Sequence, residues 1–174
     1  MSKLLNQKKT NIHILYNNIL TLSRNKLFYI KFDLADTFQN RINLIFFHIS
    51  FIFVKINQYK EKILFKKFHQ KLFDLLFEQI ESNMRELGFG DVTVNKNMKY
   101  LVKSFYNILL FSQEYNNKKI EYKRSFFDKF LKYNTREGKV NNDTIIKYFD
   151  DFQTFCFDLG SDSVLKGELK FKFN

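Results

Sequence analysis

Apolar residues along this chain recur mostly at steps of three and four, the spacing of one face of an α-helix. Ile12, Leu15, Tyr16, Ile19 and Leu22 keep that rhythm and predict a first helix over about Asn11–Arg24. A link, NKLFYIKFDLAD, follows. Asp36 or Thr37 then offers an N-cap for a second helix that runs to about Ile56. Its segment INLIFFHISFIFV is apolar around most of its circumference, which marks the central helix of a bundle. A third helix is predicted over about Glu61–Leu87. Its stripe is Phe65, Phe68, Leu72, Leu76, Ile80, Met84 and Leu87, with Lys66, Lys67, Lys71, Asp74, Glu78 and Glu81 mostly off it. At ~1.5 Å per residue the stripe is roughly 33 Å long.

A fourth helix is expected to start at Asn95 or Asn97 and to carry Leu101, Val102, Phe105, Ile108 and Leu109. A fifth covers about Lys118–Tyr133 and a sixth runs from Asn142 or Asp143 to about Phe157, with the loop NTREGKVNND between them. The end, SVLKGELKFKF, alternates apolar and polar residues. A lone strand has no partner here, so residues 161–174 are expected to be an extended or disordered tail. The fold class is therefore all-α: a single-domain bundle of about six helices over residues 1–160. The chain has no proline and only 5 glycines in 174 residues, which agrees with helices rather than tight-turned sheets.

Two of the 5 glycines, Gly88 and Gly90, flank Phe89 immediately after the long stripe. Gly88 stands where a left-handed residue closes a helix, and Gly90 is read as a second sharp turn. The corner joins two long helices, with Arg85, Glu86 and Asp91 crowded around it. GFGDVT lacks the third glycine of a dinucleotide loop and follows a helix instead of a strand, and no Gly-Lys-Ser/Thr occurs. Both phosphate-loop readings are excluded.

Other chemistry is sparse. His13, His48 and His69 show no metal spacing with Cys156 or carboxylates. His48, inside the most apolar helix, reads as a core histidine with a satisfied hydrogen bond. Cys156 reads as buried filler. Asp150 and Asp151 are neighbours whose side chains diverge on a helix. No catalytic constellation, cofactor or small-molecule substrate is expected. FKKFHQKLF and FLKYNTREGK interleave aromatics with lysines, but the Phe spacing fits a core face better than a stacking platform.

The formal charge of +11 admits two readings. One is an anionic partner, such as RNA, the ribosome or an acidic membrane surface. The other is a base-composition drift that raises Lys, Asn, Ile and Phe everywhere. The lysines are scattered from Lys3 to Lys172, so charge alone assigns no function. The N-terminus shows no secretory signal and no transit peptide, and the apolar run Ile42–Val54 is too short to span a bilayer.

Taken in order, Tyr16, Arg24, Phe28-Tyr29, DTFQNRINLIFFH, a long helix and RELGFGDVTVNKNMKYLVKSFY resemble the ubiquinol–cytochrome c chaperone family. Asp36, Thr37 and Arg41 fall on that family's first block, and His48 on its Leu-His position. Arg85, Glu86, Leu87, Gly88, Gly90 and Asp91 fall on the central signature. Val94, Lys96, Met98 and Lys99 follow it, and Phe105-Tyr106 fits the last block. Asn107-Ile108 replaces the family's Gly-Arg, and Phe47 its Leu. The resemblance covers Tyr16–Tyr115, and more weakly extends to Asn134.

The resemblance implies an all-helical, non-catalytic assembly chaperone. Its client would be newly made cytochrome b of the bc1 complex, met near the ribosomal exit region. The lack of a transit peptide suggests the cytoplasm of a bacterium, or the cytoplasmic face of its inner membrane. On this reading Arg85 would grip a client carboxylate and Phe89 would be an aromatic anchor. Alternatively, Arg85, Glu86 and Asp91 only lock the corner internally. A basic ribosome- or RNA-binding protein and a peripheral protein on anionic lipid are the other function classes.

Overall fold

The computed structural model describes residues 2–134 and 142–173. Its helices are α1 (Ser2–Ser23), α2 (Leu27–Ile30), α3 (Phe38–Ile56), α4 (Lys62–Glu86), α5 (Asp91–Gln113), α6 (Ile120–Phe130), α7 (Asn142–Asp158) and α8 (Ser161–Lys166). Six of them are 11 residues or longer, and α2 and α8 are short. The all-α bundle expected from the pattern is what forms. No described helix is long and apolar enough to cross a membrane.

The apolar girth of α3 decides the arrangement. Fourteen of its 19 residues are buried, because α1, α4, α5 and α7 all pack against it. Thr37 caps it: its Oγ1 accepts from the Asn40 backbone N–H at 3.2 Å, which satisfies one orphan donor of the first turn. Phe46, Phe53, Phe73, Phe77 and Phe105 interlock edge-to-face or tilted on one side of α3. On another side Phe47 tilts against Phe127 and Phe149, which stack on each other.

Four polar side chains are buried in this apolar helix; three of them find a distant partner, and the Ser50 hydroxyl finds none among the described residues. Asn40 donates to the carbonyls of Ala35 and Lys132, both at 2.7 Å, and accepts from the Lys132 N–H at 2.9 Å. Asn43 donates to the Phe130 carbonyl at 2.5 Å. Together they take up the end of α6, and a backbone bridge between Leu34 and Tyr133 continues the contact. The His48 ring bonds the Leu44 carbonyl through Nδ1 at 2.6 Å and the Tyr148 hydroxyl through Nε2 at 2.8 Å. A carbonyl can only accept, so Nδ1 carries the proton and Nε2 accepts from Tyr148. His48 is the satisfied core histidine that the pattern suggested.

Several boundaries differ from the sequence reading. The first helix begins at Ser2, ahead of the apolar periodicity. The link after it contains α2, whose Phe28 is buried. The fourth helix starts at Asp91 instead of Asn95 or Asn97. Gly90 is its N-cap, and the acid of Asp91 in the first turn favours the early start. The fifth is only Ile120–Phe130, because Asn40 and Asn43 hold the following backbone in extended form. Leu87 is 65% exposed and does not belong to the buried stripe. Most of the predicted loop 134–143 lies outside the described residues.

The tail is docked. Residues 161–166 form α8, and residues 168–173 follow without regular structure. Its period of two puts Leu169, Phe171 and Phe173 on one side, against the core. Phe171 meets Tyr148, Phe152 and Phe155, and Phe173 meets Phe32 and Tyr148. Gly167, at φ +78°, lets the turn approach α1: a Cβ there would sit 2.6 Å from the Asn11 carbonyl oxygen. Asn18 Nδ2 donates to the Gly167 carbonyl at 2.7 Å.

Cys156 is buried, and burial pushes its thiol well above the usual range. Asp150 pairs with Lys123 and Asp151 with Lys147, on diverging sides of α7. Phe65, Phe68 and Phe130 of the Lys-interleaved segments are core residues.

Two outcomes follow from the polar partners of α3. Burial lowers the His48 pKa from 6.5 to about 4, against the opposing Leu44 hydrogen bond. The unfolded chain therefore binds a proton between those values that the fold excludes. Stability is full above about pH 6.5 and falls toward pH 4, by roughly 3 kcal/mol for this group. His69, half-buried and stacked on Phe53, shifts in the same direction. Urea melts across this range should show the slope, and His48→Gln should flatten it. Asn40→Ala, which removes three hydrogen bonds, should cost about 2–3 kcal/mol by the same assay.

Candidate functional site

The first candidate block surrounds the start of α3. Thr37 is extended (φ −113°, ψ 155°) and caps the helix. This places Asp36 just outside the helix and Arg41 one turn inside it. The Arg41 guanidinium grips both oxygens of Asp36, Nε–Oδ1 at 2.6 Å and Nη2–Oδ2 at 2.7 Å. That hydrogen bonding, more than simple charge proximity, holds the Asp36 carboxyl below its usual range. Tyr29 lies beside the pair. Burial first, and then the Asp36 charge, raise its hydroxyl, with Arg41 opposing.

The second block is the corner between α4 and α5. Leu87 is the C-cap and Gly88 follows with φ +85°. The Gly88 N–H reaches the Arg85 carbonyl at 2.9 Å and the Phe89 N–H reaches the Met84 carbonyl at 3.1 Å. These are the two bonds of a Schellman closure. Gly90, read from sequence as a second sharp turn, instead has φ −70° and ψ 158°, open to any residue. No atom lies within 4 Å of a Cβ built there.

Arg85 is engaged inside the corner. Its Nε and Nη2 donate to Glu81 Oε1 at 3.1 and 2.8 Å, and its Nη1 to Asp91 Oδ1 at 2.5 Å. These bonds, to Asp91 first and Glu81 second, raise its pKa further. Glu86 is not part of that lock; it accepts from Ser82 Oγ at 3.2 Å and faces elsewhere. Phe89, 42% exposed, stands at the tip with Leu87 and Val92.

The two blocks meet. A groove of about 430 Å³ between α1, α3 and α4 is floored by Leu20, Ile42, Ile45 and Ile80. Around these stand Phe38 and Arg41 from the first block, Glu86 and Leu87 from the second, and Tyr16 and Arg24 from α1. Arg24 makes no ion pair among the described residues. The groove is thus an apolar slot with two arginines, Arg24 and the Asp36-paired Arg41, and one acid, Glu86, at its rim, sized for side chains of a partner segment. Lys96 and Tyr106 lie outside it, exposed on α5, and Phe105 is fully buried among Phe46, Phe53, Phe73 and Phe77. Phe105 therefore serves the core and touches no partner in this fold. No group of three His, Cys, Asp or Glu among the described residues is placed to hold a metal.

The sequence profile described as Ubiquinol-cytochrome C chaperone matches residues 31–151. This chain belongs to the ubiquinol–cytochrome c chaperone family. The family match runs past Asn134, where the resemblance faded, and takes in Tyr148, the partner of His48. It starts after Tyr16 and Arg24. The crystal structure of the Cbp3 homolog from Brucella abortus is similar to this chain over 99% of its length and 94% of the homolog's. The TM-score is 0.83 at 17% sequence identity, so the two share their fold. Comparison with curated proteins gives no match.

Sequence reasoning missed Glu81 as the second partner of Arg85, although its spacing of four on one helix was the available signal. It also missed Phe38, Leu20 and Ile80 as groove residues. Nothing local marks them, since they read as ordinary stripe or cap-adjacent positions.

The glycines separate two explanations of the corner. Gly88→Ala should lower stability by about 1 kcal/mol, because its φ is left-handed. Gly90→Ala should leave the urea midpoint unchanged. A loss of reductase assembly in a Gly90→Ala strain would then report a contact at that position, independent of folding.

Proposed function

We propose that this family member is a non-catalytic assembly chaperone that holds newly made cytochrome b during biogenesis of the bc1 complex. The groove between α1, α3 and α4 takes an apolar segment of that client. Membership in the ubiquinol–cytochrome c chaperone family supports the assembly role. The observation that carries the groove assignment is convergence. Tyr16, Arg24, Arg41, Glu86 and Leu87 come from separated parts of the chain, yet they line one surface slot.

The physical match is to a membrane-protein segment before insertion. Such a segment presents apolar side chains flanked by charges. Leu20, Ile42, Ile45 and Ile80 would take the apolar part, and desolvation of that contact supplies the affinity. Arg24 and Glu86 at the rim set orientation and register. Arg85 contributes by holding the corner that presents Leu87 and Glu86, since its own donors are taken by Glu81 and Asp91.

A host strain lacking the protein should lose assembled bc1 complex while keeping cytochrome b transcript. A photo-crosslinking residue at Leu87 or Phe38 should capture cytochrome b in growing cells, whereas the same residue at Ile120, on α6, should not. Leu87→Glu combined with Phe38→Glu should reduce assembled complex several-fold with an unchanged melting temperature. Normal bc1 levels in the deletion strain would end the assembly reading. Crosslinks from Ile120 but not from the groove would move the client elsewhere on the surface.

A further inference from the structure

The opposite end of α4 has a different chemistry. Residues 60–71 carry five lysines, Lys60, Lys62, Lys66, Lys67 and Lys71, against one acid, Glu61. None of the five makes an ion pair among the described residues; Lys62 Nζ donates to the Asn57 carbonyl at 2.6 Å. The first turn of α4 contains no acidic residue. Positive charge in a first helical turn opposes the helix dipole, so Lys62 gains nothing from the helix it starts. The acids of α4, from Asp74 to Glu86, all lie in its second half.

Two apolar features adjoin the lysines. Ile63 projects from the first turn with 77% of its surface exposed. Beside it, a cleft of about 330 Å³ between α1, α4 and α8 is walled by Ile12, Leu64, Phe68 and Leu165, with Lys67 and Lys71 at its edge. Phe65 and Phe68 of this segment are buried, and the half-buried His69 ring lies against Phe53. The end therefore offers cations and aliphatic surface but no exposed ring on which a base would stack.

We propose that this end docks on an anionic phospholipid surface. The five lysines meet the headgroups and Ile63 enters the boundary between headgroups and acyl chains. The site lies toward the other end of α4 from the groove, roughly 28 Å away along the helix axis, centre to centre. Docking there leaves the groove open to a partner, and the inference holds whatever that partner is.

The test is vesicle flotation of the full chain, with phosphatidylcholine vesicles beside vesicles that also contain phosphatidylglycerol. Binding is expected only to the second kind and should weaken as salt rises. Lys66→Gln/Lys67→Gln/Lys71→Gln should bind roughly a hundred-fold more weakly, about five-fold per lysine. Lys103→Gln/Lys119→Gln/Lys129→Gln removes the same charge elsewhere and should bind nearly as well as the native chain. Ile63→Ser should weaken binding with the charge unchanged. All three variants should keep the native melting temperature, since every replaced side chain is exposed. Equal loss in both lysine variants would reduce the effect to net charge and overturn the proposal. So would vesicle binding indifferent to phosphatidylglycerol or to Ile63. Binding of single-stranded RNA through Lys66, Lys67 and Lys71, with no vesicle binding, would assign this end to nucleic acid instead.

Discussion

The architecture depends on what an almost wholly buried helix must do with its polar side chains. α3 is apolar nearly all round, so neighbours cover it on every side. Water then cannot satisfy Asn40, Asn43 or His48, and an unmet hydrogen bond in that setting costs more than the bond itself contributes. These three take a protein partner at a defined place, whereas the Ser50 hydroxyl takes none among the described residues. Asn40 and Asn43 find it in the backbone after α6, and His48 finds it in Tyr148 of α7. Apolar packing would tolerate many positions for the last third of the chain. These bonds select one, and Tyr148 in turn seats Phe171 and Phe173 of the tail.

The groove lies elsewhere, where α1, α3 and α4 meet. Its floor is the flank of α3 and α4 where the packing of α1 is incomplete, and its rim is set by two local devices. One is the Thr37 cap with the Asp36–Arg41 fork. The other is the Schellman closure at Gly88 with the Glu81–Arg85–Asp91 lock. Both ionic devices are exposed, and exposed pairs contribute little to stability. Their effect is geometric: one fixes Arg41 beside the apolar slot, and the other fixes the corner that presents Glu86 and Leu87 to it. A surface prepared in this way loses less freedom when a partner arrives.

The charge along α4 divides the molecule. Its C-terminal half is acidic apart from Arg85 and borders the groove, while its N-terminal half is basic and carries an exposed isoleucine. A base-composition bias would raise lysine everywhere. It would not sort acids to one half of one helix and lysines to the other. The net charge of +11 is therefore less informative than this distribution.

Local information determined much of this protein. The 3–4 periodicity located the six long helices, because each buries one stripe against a common core. A cap at Asp36 or Thr37 was legible, as was Gly88 as a helix terminator, since both act through the backbone within a few residues; the fold decided for Thr37. The order of the Asp-Thr and Arg-Glu-Leu-Gly blocks was enough for the family resemblance. Contacts between distant segments decided the rest. The early end of α6 depends on Asn40 and Asn43, some ninety residues away. The docking of the tail depends on aromatic surfaces that exist only once α7 has packed. Gly90 looked like a twin of Gly88, but its backbone is ordinary, because the turn is already complete at Gly88. The groove was invisible for the same reason. Tyr16, Arg41 and Leu87 become neighbours only when α1, α3 and α4 pack, and no local pattern encodes where three helices leave a gap.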